Sequence, residues 1–324
     1  MTTATYKKLN LKAMEGVRTI LFQLGDLKKG ETCCIVSDTN TANLGNAFFE
    51  AASAKKMIAG HFVIPPFKIH GEEPPDYVAS RMADADLVIG LTNYSMAHSL
   101  ARHRACQNGA RYLSLPDYSE KVLAHPSLRV DYKKSAKKAR RLVGQLTKGK
   151  TVRIKTKAGT DIQLQIQGRT GNYCPGYVKT GLQLGSPPDI EINIAPLEDG
   201  SEGKVVIDGS IPAPGLGKLR SPVTLTVKNG IITKFGGDPE YCKILEKLFA
   251  AHGDKGRVLA EFGIGLNPKA KLCGNMLIDE GCYGTFHFGF GSNATIGGKN
   301  SVKIHIDFVF YANSFELDGK NYKI

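Results

Sequence analysis

The chain contains no apolar run approaching the ~20 residues that a membrane span needs, which excludes a transmembrane helix read from hydropathy. It has no Cys-x-x-Cys pair, and its seven cysteines are an odd number. Cys33 and Cys34 are adjacent within an apolar run, where a strand would point them to opposite sides, so they read as packing residues rather than a disulfide scaffold. A reducing compartment is expected. Met1-Thr2-Thr3-Ala4-Thr5-Tyr6-Lys7-Lys8 is not a basic region followed by an apolar core, so no signal peptide is read and a cytoplasmic location is expected. The first apolar run is followed by Ser37-Asp38-Thr39-Asn40 instead of a Gly-x-Gly-x-x-Gly turn, leaving a dinucleotide cofactor unsupported. Neither an internal repeat nor a low-complexity tract is present.

What remains is a folded chain of 324 residues, long enough that two domains are the expectation. Its net charge of +13 invites a nucleic-acid reading. Ten basic and no acidic residues fall between Lys133 and Lys155, so the excess is one local feature. From Ser135 to Leu146, Ala136, Ala139, Leu142, Val143 and Leu146 recur at helical spacing, predicting a helix with one apolar stripe and a cationic outer face. Such a face is commonly just solvated. Aromatic residues do not interleave with it, which weighs against single-strand binding.

In the first half, apolar runs at Thr32–Ser37, Met57–Ile64, Asp86–Leu91 and Ala110–Leu115 alternate with helical segments at Asn43–Ala54 and Ala97–Gln107. That pattern predicts an open parallel α/β domain over residues 1–148. The second half changes period. Thr151–Thr156 and Asp161–Ile166 flank Ala158-Gly159, while Val223–Val227 and Ile231–Thr233 flank Asn229-Gly230. Alternation around such turns predicts hairpins, and with one helix at Glu240–His252 the expectation is a mainly antiparallel, β-rich metal-binding domain over residues 149–324. The Gly/Pro-rich stretch Thr170–Pro188 reads as a long loop.

Chemistry concentrates in the second half. His305 and Asp307 stand two apart on an apolar strand, so an imidazole and a carboxylate share one face. His287 lies in Gly284-Thr285-Phe286-His287-Phe288-Gly289-Phe290-Gly291, where the glycines permit close backbone approach. Glu261 and Glu191 are each embedded among apolar residues, where a carboxylate needs a cation or donors to compensate it. An ordinary polar pair or a core histidine would explain any one of these, but five such groups in one domain point to a shared cation. Asp279, Glu280, Asp208 and Asp199 read as turn anchors, and the other six histidines as surface or helix residues.

The succession Glu261-Phe262-Gly263-Ile264-Gly265, Gly274-Asn275, Asp279-Glu280, Gly284-Thr285-Phe286-His287, Gly297-Gly298 and His305-Ile306-Asp307 resembles the aminopeptidase T (PepS-type leucyl aminopeptidase-like) metallopeptidase family. Glu191, with Glu198-Asp199 and Asp208-Gly209-Ser210, is similar to that family's upstream block. The resemblance implies Glu191, Glu261, His287, His305 and Asp307 as ligands of two divalent metals (Zn, Co or Mn), a homodimer, and hydrolysis of an amide or peptide C–N bond in a small-molecule or peptide substrate. Glu261 or Asp307 would bridge, and Glu191 would be ligand or base. The family's Tyr seven residues after the first His is Ala294 here, so Asn293 or Asn275 is the expected replacement donor at the oxyanion, with Tyr173, Cys174 and Tyr177 as pocket residues. A more distant resemblance is to the 2,5-dihydroxypyridine 5,6-dioxygenases, which hold one non-haem Fe(II) with two His and one carboxylate. In those enzymes the first ligand His falls at the position of Glu261, and the positions of His287 and Glu191 are apolar. On ligand types the expectation therefore favours hydrolysis, with the ring-cleaving dioxygenase as the alternative and a basic nucleic-acid-binding protein as the third reading.

Overall fold

The structure is a computed structural model and describes residues 6–180 and 183–324. Residues 1–5, which open the N-terminal segment discussed above, and residues 181–182, within the Gly/Pro-rich stretch, lie outside the described residues.

The fold is a mixed α/β one with two compact units, Met1–Val130 joined by Pro175–Pro187, and Asp131–Cys174 joined by Pro188–Ile324. In the first unit, strands β1 (Thr32–Asp38), β2 (Ile58–Ile64), β3 (Leu87–Leu91) and β4 (Arg111–Ser114) pair in parallel in the order β2-β1-β3-β4. Helices Ala42–Ala54, Asp76–Ala83 and Leu100–Gln107 make the crossovers that parallel pairing requires. Every residue of β3 is buried, as expected of a strand covered on both faces. Cys33 and Cys34 are buried and unbridged, and burial pushes the Cys34 thiol up to about 12. They pack; they do not react.

The unit boundary falls at Val130 rather than at 148, and the reason is packing. The basic helix runs over Tyr132–Lys148, capped by Asp131, and its stripe of Tyr132, Ala136, Ala139, Leu142 and Leu146 is buried. It packs on strands of the second unit, while Lys133, Lys134, Lys137, Lys138, Arg140 and Arg141 stay exposed. The stretch read as one long loop also carries structure. Leu184–Gly185 adds to the parallel sheet beside β4, and the Val178 amide donates to the Leu24 carbonyl at 2.8 Å, which returns this segment to the first unit.

The second unit holds two antiparallel seven-stranded sheets. One contains β5 (Asn172–Cys174), β6 (Glu191–Ile194), β7 (Leu259–Gly265), β8 (Thr285–Gly291) and β9 (His305–Tyr311), in the order β9-β8-β7-β6-β5, with two short strands beyond β9. The other contains both predicted hairpins, at Thr151–Lys155 with Asp161–Gln165 and at Val223–Lys228 with Ile231–Gly237. One face of the first sheet is phenylalanine: Phe262, Phe286, Phe288, Phe290, Phe308 and Phe310 are all fully buried. Phe262 meets Phe286 edge-on at 5.5 Å between centroids and reaches Phe315 of the second sheet at 5.9 Å. Among the described residues no helix is long and apolar enough to cross a membrane.

Truncating Phe262 to alanine would leave a cavity at the centre of this face. The expected cost is about 3–5 kcal/mol of folding stability, measured by urea denaturation. A loss below about 1 kcal/mol would show that the aromatic face does not anchor the unit.

Candidate metal centre

Because successive side chains of a strand alternate faces, the wall of phenylalanines dictates what lies opposite. Between Phe262, Phe286, Phe288, Phe308 and their neighbours stand Glu261, Gly263, His287, Gly289, His305 and Asp307. The register then pairs each functional side chain with a glycine: Glu261 and Asp307 both flank Gly289, His287 is opposite Gly263, His305 opposite Gly291, and Glu191 opposite Gly265. These glycines are steric necessities. A Cβ at Gly263 would lie 1.9 Å from His287 Nε2, and one at Gly289 would lie 2.5 Å from His305 Nε2 and 2.9 Å from the Glu261 Cβ. A register shift between Leu259 and Glu261 sets the phase that turns Glu261 to the polar face, a common use of a bulge beside a functional site.

The five side chains expected from the sequence converge as an alternating acid–imidazole chain. Glu191 Oε2 is 3.1 Å from His287 Nε2, which is 3.6 Å from Glu261 Oε1. Glu261 Oε2 is 3.2 Å from His305 Nε2, itself 3.3 Å from Asp307 Oδ1. His305 Nδ1 donates to the Ser292 carbonyl at 2.8 Å, which orients the ring with Nε2 toward the carboxylates. Asn193 Nδ2 donates to Glu191 Oε1 at 2.9 Å and leaves Oε2 facing His287. Two groups of donor atoms result, Glu191–Glu261–His287 and Glu261–His305–Asp307, each within a 4.8 Å span, sharing Glu261.

Sequence reasoning missed two further members. Asp189 is 3% exposed, and it lies with Glu191 and Glu280 in a third donor group of the same span. Its spacing from Glu191 in Asp189-Ile190-Glu191 was the available signal. Glu280 is not the turn anchor expected from the sequence; Asp279 alone is, accepting from the Cys273 and Gly274 amides at 2.7 and 2.8 Å. Both lie on the short helix Met276–Glu280, too brief for periodicity to reveal.

Of the expected pocket residues Cys174 reaches the centre, its thiol hydrogen-bonded to Asp189. Asn293 is fully buried in a loop, its amide donating to Glu198 and accepting from the Asn300 backbone. Asn275 caps the Met276–Glu280 helix. Tyr173 pairs with Ile192, on the face opposite Glu191 and Asn193, and the Arg140 guanidinium sits 5.8 Å from its ring.

The donor set fits a cation. Buried Asp189 Oδ1, Glu280 Oε1 and His287 Nδ1 lack a hydrogen-bond partner, and among the described residues no lysine or arginine pairs with any of the five carboxylates. Burial alone would lower both imidazoles, yet Glu191, Glu261 and Asp307 outweigh it and hold them well above the usual histidine range. Burial raises Glu261, but its bonds to the two histidines bring it below the ordinary value. Asp189 and Glu280 go the other way: burial, then neighbouring carboxylates, pushes both well up.

A mixed carboxylate and imidazole centre on one sheet of an α/β protein is that of a metal-binding class of fold. A family model described as NicX, 2,5-dihydroxypyridine 5,6-dioxygenase, matches residues 14–322, and the chain belongs to that family. No curated protein matches the chain. Among solved structures, 2,5-dihydroxypyridine dioxygenase from Pseudomonas putida KT2440 superposes with a TM-score of 0.78 at 22% identity, covering 96% of this chain and 95% of that one. Wild-type AmpT from Thermus thermophilus gives 0.66 at 15% identity, with 97% of each chain covered. Both likenesses are of fold. The family match favours the dioxygenase resemblance over the peptidase one, reversing the order that ligand types alone suggested.

Two outcomes are expected. Gly289→Ala, which crowds His305 and Glu261 together, lowers metal affinity at least tenfold with the fold retained by circular dichroism; unchanged affinity would show that the glycine is dispensable. Because both histidines are held well above the usual histidine range and must lose a proton to ligate, metal uptake at neutral pH releases protons, and affinity rises with pH until that raised range is passed. Calorimetry in buffers of different ionisation enthalpy reads this directly, and zero proton release at about pH 7 would contradict it.

Proposed function

We propose that this protein is a metal-dependent, ring-cleaving dioxygenase acting on a hydroxylated N-heteroaromatic. The observation that carries the reading is the family match over residues 14–322. The site supports it with a donor set of the right kind. His287 and His305 both aim Nε2 at Glu261, which provides two imidazoles and one carboxylate, the combination used by non-haem Fe(II) oxygenases. Where the resembling dioxygenases have a histidine at the position of Glu261, the second imidazole here comes from His287 on the adjacent strand.

Fe(II) held by Glu261, His287 and His305 would supply the redox chemistry that couples dioxygen to the ring. The chain's own residues do the rest. Ser292 fixes the His305 ring through Nδ1, and Asn193 fixes Glu191 through Oε1. The phenylalanine face keeps water from the back of the sheet. Glu191, Glu261 and His287 are buried, whereas the His305 side chain is 31% exposed, so substrate approaches along the His305 edge. Asp307, hydrogen-bonded by His305 and driven far below the ordinary carboxylate range by it, stays ionised there.

A second reading, two-metal hydrolysis of an amide C–N bond, is favoured by one observation: the five donors divide into two groups that share Glu261, as a bridging carboxylate does in dinuclear hydrolases. Metal content and substrate turnover separate the two. The first expects about one Fe per chain and oxygen uptake with a dihydroxypyridine; the second expects about two Zn, Co or Mn and anaerobic cleavage of an aminoacyl anilide. In either case His305→Ala lowers turnover by about 100-fold or more, a rise of about 2.7 kcal/mol in the barrier. Full metal retention and activity in His305→Ala would defeat both.

A further inference from the structure

Two of the buried carboxylates are not needed by either reading. Asp189 and Glu280 lie outside both groups that share Glu261, and together with Glu191 they form an all-oxygen group within a 4.8 Å span. Asp189 is buried at 3% exposure; it accepts from the Cys174 thiol, but its Oδ1 has no partner. Glu280 shares a hydrogen bond with Asp307, but its Oε1 is buried and unpartnered, while Glu191 Oε2 meets His287 Nε2 at 3.1 Å. Asp189 and Glu280 thus each keep a bare oxygen in this group. The backbone makes room for them, since a Cβ at Gly281 would come within 2.8 Å of Asp189 Oδ1.

We propose that Asp189, Glu191 and Glu280 form a separate cation site selective for a hard divalent ion, Ca²⁺, that abuts the imidazole-containing centre through Glu191. Donor chemistry sets the selectivity. Oxygen-only ligation suits Ca²⁺ or Mg²⁺, whereas the histidine-containing groups suit transition metals. Hydration separates the first two: Mg²⁺ dehydrates reluctantly and keeps several waters, whereas Ca²⁺ takes protein carboxylates in flexible geometry, which suits a buried pocket. Three carboxylates can supply up to about six oxygens, the lower end of what Ca²⁺ takes. Glu191 would then be held from both sides, so ion binding at the oxygen site stiffens a donor of the neighbouring centre. The inference holds whichever reaction that centre performs.

The full chain, stripped of metal and reloaded with Zn²⁺, is dialysed against Ca²⁺ and its metals are counted. The expected result is about one Ca²⁺ per chain in addition to Zn²⁺. Asp189→Asn weakens Ca²⁺ binding at least tenfold with Zn²⁺ content unchanged, and Glu280→Gln does the same should Asp189→Asn fail to fold. His305→Ala gives the converse, Zn²⁺ lost and Ca²⁺ kept. Wild-type protein that holds Zn²⁺ but no Ca²⁺ overturns the proposal and leaves the imidazole centre intact, as does Ca²⁺ binding that Asp189→Asn leaves unchanged. Protein that holds Ca²⁺ but no Zn²⁺ upholds this site and counts against the functional reading instead.

Discussion

Glu261 stands between two imidazoles, 3.6 Å from one and 3.2 Å from the other, in a position no buried carboxylate holds without compensation. Removing its charge from water has to be offset by what surrounds it, and here every nearby partner is itself ionisable. Glu191, His287, His305 and Asp307 are therefore not independent residues. The carboxylates hold both imidazoles up and His305 holds Asp307 down, so that a change at one of these groups is felt at the next. The local fold follows from this requirement: glycines opposite each functional side chain, a bulge beside Glu261, and a backbone carbonyl on His305.

The reverse of the same sheet explains how so much charge is tolerated. An antiparallel strand can devote alternate residues to different surroundings, and the centres of β7, β8 and β9 do so, with phenylalanine or isoleucine on one side and ionisable groups or glycine on the other. Stacked and edge-on rings across both sheets give the unit a rigid floor. The polar face needs no packing of its own to stay in register, because a slip of one residue would bury His287 among phenylalanines and expose the phenylalanines in exchange.

Much of this was legible in the sequence. The alternation His305-Ile306-Asp307, and of Phe with His287 and glycine, specifies a face as soon as a strand is assumed, and the parallel half announced itself through alternating apolar runs and helices. The hidden parts have physical causes. The unit boundary was misplaced because a cationic helix gives no clue to which sheet its apolar stripe will cover. Glu280 escaped because five helical residues show no period, and Asn293 and Tyr173 were drawn in because linear proximity to His287 and to glycines says nothing of which way an amide or ring turns. The meeting of the five side chains was legible; the reaction was not. The same imidazoles and carboxylates serve hydrolysis and oxygen chemistry, and whole-chain similarity tipped the balance.

The chain passes between its two units three times, at Val130, at Cys174 and at Pro187. The last excursion leaves only the two-residue strand Leu184–Gly185 in the parallel sheet before the backbone turns back toward Asp189 and Glu191. Neither unit is thus a continuous stretch of polypeptide. During synthesis the ribosome must deliver more than half of the chain before the parallel sheet acquires its final edge, and Asp189 and Glu191 emerge directly behind it. A cut at any single point therefore leaves at least one unit incomplete.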